Sequence, residues 1–513
     1  MEAISRCERK WGVGQMQKNK KFISIIMVCF LLLLSACSSN KQSSTNESSG
    51  SGEKISDVNM VFFVTETPKD LKLVQDQINK ISEEKIKVRV KLTPINIGNY
   101  VQQMNLMLSS NEKADLMLVT SFFGYTSQVA KGQLLPLDDL VDKFGPDIKT
   151  AMDPDYLNAA KVSGKMYAVP TLRDMAGAPG INMRKDLVDK YNIDINKIKT
   201  LDDVGAALLK IKKNEKGITP FVPFQPGAQA TVVYNWFDPL GDTMGVLPNY
   251  DNNMKVVDLY ETEEYAQFVK TMRRWNQEGL TLKNATTNVD PGTTLVKSNA
   301  GFSYFSPQKP GIALQESQIT TKPMVTTSLS KPVTTTSAVT TMMWGIPQSS
   351  QVPEAAMKFL NLMYGNKDIV NLLDWGIEGK HYVKVTDNVI KYPDGVNAGN
   401  NGYNLNMSFA MGNSFLSYVF EGNDPDLWNK TKEFNKGAIK SKALGFNFDS
   451  SSVKTEVTAV TNVVAKYALG LESGSLDPNK SLPEFIKGLK AAGIDKIIAE
   501  KQKQLDEWAK NQK

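Results

Sequence analysis

Histidine is almost missing from this chain of 513 residues, which has one, and all three of its cysteines lie within the first 37 positions. The lone histidine, His381, removes most chemistry that needs imidazole as a base or as a set of metal ligands. Beyond Cys37 there is no further thiol, so zinc–cysteine sites and iron–sulfur clusters are not expected in the body of the chain. There is no G-x-S-x-G elbow, no P-loop and no dinucleotide fingerprint. No EF-hand series occurs; Asp251-Asn252-Asn253 reads as a turn at a hairpin tip, which leaves open only a calcium ion held by scattered oxygens. No apolar run reaches the ~20 residues that a membrane-spanning helix needs. Excess charge is also scarce, +6 from 60 Lys/Arg and 54 Asp/Glu, so nothing calls for nucleic acid or an anionic membrane surface. The 41% hydrophobic content excludes a disordered chain and, at this length, suits two or three domains or one large two-lobed body.

What is present starts with a segment unlike the rest. Lys18, Lys20 and Lys21 precede an uncharged run of 13 residues, Phe22 to Leu34, the length of a signal-peptide core. The run ends in Leu34-Ser35-Ala36-Cys37. Small residues before a cysteine give a signal peptidase access to extended backbone, and the thiol can then carry a diacylglycerol. This closely resembles the bacterial lipobox. Ser38 to Gly52 is a polar Ser/Gly/Asn tether, which argues against an anchor that is never cut. The expectation is a signal peptide at 1–36 and a lipidated tether at 37–54. The chain would be held at the extracytoplasmic face of the cell membrane by at least two acyl chains on Cys37. Residues 1–15 read either as a mistaken start, with Met16 as the true one, or as an extended n-region. Without residues 1–36 the count is 54 Lys/Arg against 52 Asp/Glu, so most of the apparent basicity belongs to the leader.

From about residue 55 the pattern is alternating strand and helix. Val58 to Val64 is a nearly continuous apolar run, as in a strand covered on both faces. Leu71, Val74, Ile78 and Ile81 recur at helical spacing. Ile86, Val88, Val90 and Leu92 alternate with Lys87, Arg89 and Lys91, a period of two. A helix over Tyr100 to Leu108 and a strand over Leu116 to Val119 complete a β-α-β-α-β order, which predicts right-handed crossovers and a parallel sheet. Ligands bind beyond the carboxyl ends of such strands, so Thr65 to Pro68 and Thr120 to Phe123 are candidate cleft edges. Thr334 to Met343, rich in β-branched residues, suits an extended segment. At the C-terminus, Ser481 and Glu484 have capping-box spacing, Gly493 marks a helix stop, and Ile494, Ile497, Ile498, Leu505 and Trp508 line one face of a second helix.

Several segments resemble, in order, the extracellular solute-binding proteins of ABC sugar importers. They are Ala114-Asp115-Leu116-Met117, Gly164-Lys165-Met166-Tyr167-Ala168-Val169-Pro170, Asn182 to Leu187, Ser298 to Phe302 and Pro353 to Leu360. Trp375 to Tyr382 and Leu482 to Trp508 resemble the large lipoprotein subclass that serves oligosaccharide importers and has a helical C-terminal region. The resemblance covers about 55–513. It implies an α/β, two-lobed, periplasmic-binding-protein-like fold of type II, with crossing strands between the lobes and a helical C-terminal extension. Lobe one would hold 55–172 plus 302–345, and lobe two 173–301 plus 346–513. The implied function is a monomeric, non-enzymatic binding protein that closes on an oligosaccharide and delivers it to ABC permease subunits, with no cofactor and no nucleic acid. Two alternatives are an extracellular lipoprotein glycoside hydrolase, whose carboxylate pair cannot be picked from 54 acidic residues, and a ligand sensor for a membrane receptor.

A sugar offers flat C–H faces rimmed by hydroxyls, so its site wants aromatic platforms with planar polar partners. Trp275 and Trp508 sit on apolar helix stripes and read as core; Trp428 lies in a charged helical segment. Trp236, Trp344 and Trp375 are the better candidates. The first lies in an aromatic loop, the second beside Gly345 and Pro347 where the lobes should meet, and the third in the family-like motif. Glu66 and Phe122 follow strand ends. Arg173 follows the first crossing and would bridge lobes or grip a ligand acid. His381 reads as a packing or surface residue of a loop.

Overall fold

The computed structural model describes residues 54–110 and 112–512. Cys37 and the expected signal segment lie outside the described residues. The first β-α-β-α-β unit forms where the periodicity puts it. β1 (Ser56–Val64) is buried from Val58 onward, and α1 (Leu71–Ile86) turns Val74 and Ile78 inward. β2 (Val88–Asn96) alternates buried Val88, Val90 and Leu92 with exposed Arg89 and Lys91. α2 (Ile97–Ser109) is capped by Asn96, whose side chain accepts from the Gly98 N–H. β3 (Leu116–Val119) is buried throughout. β1 runs parallel to both β2 and β3. Asn79 of α1 exchanges two hydrogen bonds with the backbone of Val90, which occupies part of the otherwise open edge of β2.

The next elements in order are α3 (Tyr125–Ala130), β4 (Ala168–Pro170), β5 (Ala178–Arg184), β6 (Thr219–Phe221) and α4 (Glu263–Gln277). They are followed by β7 (Gly301–Gln308), β8 (Met324–Ser328), α5 (Thr336–Val339) and β9 (Met343–Gly345). The chain then continues through α6 (Pro353–Gly365), α7 (Lys367–Trp375), α8 (Leu427–Lys436), α9 (Lys454–Glu472), α10 (Pro478–Ala492) and α11 (Ile494–Lys510). Two mixed sheets result, in the orders β2-β1-β3-β9-β4 and β8-β5-β7-β6. Each has its own apolar core: one around Phe62, Leu118, Trp344 and Phe359, the other around Ile181, Phe268, Trp275 and Phe305.

The division between the lobes differs from the expected one. Residues 303–308 pair antiparallel with β5 and 324–328 with the other side of β5, so both belong to the second sheet. Only 343–345 returns to the first sheet, between β3 and β4. Helices α6 and α7, expected in lobe two, bury Phe359, Leu360, Met363 and Leu373 in the first core. The reason is physical: a run such as Phe302-Ser303-Tyr304-Phe305 announces a strand buried on both faces, but not which sheet will bury it. Local chemistry overrides pattern in two smaller places. Thr334 to Met343 is not continuously extended, because Thr335 caps the short helix α5 by accepting from the Ala338 N–H. α10 starts at Pro478 with Asp477 as its cap, so Ser481 lies inside the helix, while Gly493 ends it at φ +96° as expected. No helix among the described residues is long and apolar enough to cross a membrane.

Candidate functional site

Three segments pass between the two cores. The first, after β4, runs through Leu172 to Gly177; the second links β8 to α5; the third follows α8. They bond side by side. Gly177 and Val333 exchange N–H···O bonds of 3.1 and 2.9 Å, and Val333-Thr334 pair in parallel with Ile439-Lys440. Asn435 of α8 clamps the first crossing, accepting from Met175 N–H at 2.9 Å and donating to Arg173 C=O at 2.7 Å. The connection is therefore a hydrogen-bonded ribbon rather than three loose linkers.

Arg173 is one of its struts. One terminal nitrogen donates to the Ala338 carbonyl at 2.6 Å and the other to the carbonyl and carboxylate of Asp174, at 2.6 and 3.2 Å. These bonds tie the first crossing to α5 and do not reach the second sheet, and a ligand acid would have to compete with them. The more telling residue is Asp174, which the sequence reading missed. Its other carboxylate oxygen accepts from Lys309 Nζ at 2.7 Å, tying the first crossing to the end of β7. Burial pushes the Asp174 carboxyl up, but the charges of Lys309 and Arg173 outweigh it and hold it below its ordinary value. Nothing in the local sequence pairs Asp174 with Lys309; the topology does.

The carboxyl ends of β1 and β3 carry the expected cleft edges, and the turn after β3 is bonded to the second crossing through Thr340. Glu66 is exposed on the loop after β1. That loop is pinned at its far end, where Asp70 N–H donates to the Gly402 carbonyl. Ile377 N–H donates to His381 Nδ1 at 2.9 Å, so Nε2 carries the imidazole proton and donates to Asp70 at 3.0 Å. His381 is thus a buried tie for a cleft-edge loop. Phe122 sits at the carboxyl end of β3 with 76% of its surface exposed. Its turn is fixed, because Thr120 accepts from the Phe123 N–H at 2.9 Å and Ser121 N–H donates to the Thr340 carbonyl at 2.9 Å. An apolar platform held out on a rigid turn is what a sugar face requires.

The tryptophan candidates divide. Trp236 is half-buried among Tyr234, Phe237 and Phe268, with ring centroids 5.4–6.1 Å apart, on the second-core side. Trp344 is not a cleft residue. It lies in β9 between Leu118 and Val169, is 0% exposed, and donates its indole N–H to the Ala410 carbonyl at 2.7 Å. Its nearness in sequence to Gly345 and Pro347 suggested a lobe junction, but a strand flanked on both sides buries its side chains. Trp375 is also buried, stacked on Phe420 at 5.5 Å, and its N–H donates to Ser417, which donates to Asp374. Trp428 is a packing residue whose N–H donates to the Ser417 carbonyl.

The loop carrying Val232, 64% exposed, and Tyr234 is held from behind by Glu472 of α9. That buried carboxylate accepts from the Thr231 N–H and hydroxyl and from the Tyr265 hydroxyl. Burial pushes Glu472 up from 4.5 to about 7, against these hydrogen bonds. A carboxyl raised on folding stabilises fully below its unfolded value and loses that contribution as pH rises through its folded value. Wild-type stability should therefore fall between about pH 4.5 and 7. Glu472→Gln, uncharged throughout, should flatten that part of the profile in thermal melts across pH.

On one side of the ribbon a recess of about 1290 Å³ separates first-core elements, among them α3 and Tyr167, from the chain around Phe446 to Ser451 and the end of α11. This exceeds the roughly 300–1,000 Å³ of ordinary small-molecule pockets. Residues 66–369 match the family of bacterial extracellular solute-binding proteins. The chain belongs to that family. Residues 442–510 of this solute-binding protein also match a domain of unknown function. A carbohydrate ABC transporter substrate-binding protein of Streptococcus pneumoniae serotype 4 is 28% identical over 510 residues, covering 97% of this chain and 99% of the relative. Among solved structures, the N-glycan transport solute binding protein from Streptococcus pneumoniae is similar, with 26% identity, 89% of this chain and 100% of that one covered, and a TM-score of 0.80. In complex with Man1GlcNAc, the same protein gives a TM-score of 0.70 over 88% and 99% of the two chains. These relatives are substrate-binding proteins, not enzymes.

Proposed function

We propose that this protein captures an oligosaccharide between its lobes, closes on it about the three-segment ribbon, and delivers it to an ABC permease. Ligand contacts made by both lobes favour the closed arrangement, which two permease subunits then recognise, with a cytoplasmic ATPase acting indirectly. Cys37 carries the lipid that keeps the protein at the outer face of the membrane, as a monomer. No covalent bond of the sugar is made or broken.

The observation that carries this reading is the pair of separately packed cores joined by a bonded ribbon, beside a recess too large for a single small molecule. Exposed groups at strand ends (Glu66, and Phe122 on its bonded turn) add to it, with Trp236 on the opposite lobe. The names of the similar proteins point to glycans. The fall in TM-score from 0.80 to 0.70 between two structures of one similar protein fits a lobe arrangement that changes within the fold.

Calorimetric titration with Man1GlcNAc and larger N-glycan fragments, with chromatographic recovery of the ligand, tests the reading. Binding with intact recovery is the expected result; product formation, or no binding to any oligosaccharide, would overturn it. In the same titration Phe122→Ala should weaken affinity about five- to tenfold, the worth of one aromatic–sugar contact of about 1–1.4 kcal/mol. Its unliganded melting temperature should not change, because Phe122 is 76% exposed.

A further inference from the structure

The domain of unknown function at 442–510 forms one wall of the large recess, and that wall has the makings of a binding surface. Trp508 lies on the last turn of α11, half-buried, its ring edge-on to Phe446 at 6.1 Å. It therefore has a fixed orientation and a partly open surface. Tyr167, half-buried beside the first core, lines the opposite wall, and Phe448 is a third aromatic of the same recess. The amides of Asn158, Asn447 and Asn511 lie among them. Asn447 fixes the separation of the walls, since its side-chain N–H₂ donates across to the Lys161 carbonyl at 3.0 Å. Gly445, at φ +103°, takes a backbone conformation that residues with a side chain rarely adopt and turns the chain beside Trp508 and the Asn158 backbone. Gln504 holds the loop that follows, exchanging hydrogen bonds of 2.9 Å with both backbone groups of Asp449.

Charge on the two walls nearly cancels. Lys131, Lys161 and Lys454 face the recess along with Asp449 and Glu507. Aromatic faces, the amides of Asn158 and Asn511, and balanced charge suit a neutral polyhydroxylated chain and disfavour a polyanion. The recess is also displaced from the strand-end groups: Glu66, Phe122 and the Asp174–Lys309 pair are not among its lining residues.

We infer that the 442–510 domain is a length-sensing subsite: it holds the outer rings of a neutral oligosaccharide whose inner rings occupy the strand-end cleft. This rests on the oligosaccharide-capture reading and extends it. Short and long ligands therefore differ in their dependence on Trp508, Tyr167 and Asn511. The test is calorimetry on the full chain with Man1GlcNAc and Man5GlcNAc as probes, using Trp508→Ala, Tyr167→Ala and Asn511→Ala. Asn511 is exposed beyond the last helical turn, so its variant guards against simple misfolding. The expected result is a loss of about tenfold for Man5GlcNAc in the aromatic variants, a smaller loss in Asn511→Ala, and Man1GlcNAc affinity within twofold of wild type. Equal losses for both probes, no loss for either, or tighter binding of a uronate oligosaccharide of matching length would overturn the subsite while leaving oligosaccharide capture standing. Failure of the wild-type protein to bind either probe would overturn the capture reading, and the subsite with it.

Discussion

Trp344→Ala should lower the stability of the protein by about 3–5 kcal/mol, the cost of emptying a fully buried large aromatic site. The residue is 0% exposed in the central part of the first sheet, and its loss also strips the Ala410 carbonyl of its donor. Trp344→Phe keeps most of the ring but not the N–H, and should cost about 1–2 kcal/mol more than a neutral core exchange. Urea denaturation followed by tryptophan fluorescence and circular dichroism measures both. A normal unfolding midpoint for the alanine variant would contradict the placement of this side chain in the core.

Lys501→Ala should be nearly as severe. Lys501 lies on the buried face of α11, 0% exposed, in a position where its neighbours Ile497 and Leu505 are apolar. Its ammonium donates to Asp242 at 2.7 Å and to the Gly245 carbonyl at 3.1 Å, and sits 4.8 Å from the Phe448 ring centre. Burial pulls its pKa down, and the nearby Asp242 carboxylate opposes that pull. Removing the ammonium empties a buried position and leaves Asp242, 29% exposed, without its partner, at a cost of about 3 kcal/mol, the low end for breaking a buried pair. Pairing Lys501→Met with Asp242→Asn should recover much of that, since both charges then leave together. Denaturation midpoints of the two single variants and the double variant give the coupling directly. Because Phe448 lines the recess, the alanine variant should also lose affinity for long glycans.

Much of the architecture was legible because it depends on local periodicity. The first unit, from Ser56 to Val119, falls where period-two and period-3.6 patterns put it, and Gly493 ends its helix for a reason visible in the residue itself. What was not legible depends on partners distant in sequence. Whether Phe302 to Phe305 joins one sheet or the other is decided by β5, more than a hundred residues earlier. The site shows the same limit. Phe122 and Glu66 are legible as exposed strand-end residues because the strands before them follow from local pattern. Asp174 and Lys309 are not legible as a pair, because 135 positions separate them in the chain. Trp344 and Trp375 look like exposed platforms in a linear string and are core side chains in space. Trp508 shows the converse: its helix stripe suggests core, yet the helix ends at the recess and leaves the ring half open.

The placement of β9 also bears on how the chain is made. Its three residues, Met343–Gly345, fill the gap between β3 and β4 and bond to both. Until they have emerged, the first sheet has two unpaired inner edges, although every other strand in it was synthesised by residue 170. A nascent chain of 300 residues therefore cannot finish either half of the molecule. It remains an open substrate for chaperones and proteases, and a threadable one for a secretion channel, until well past the point where β9 is made, because both cores also need helices that follow it.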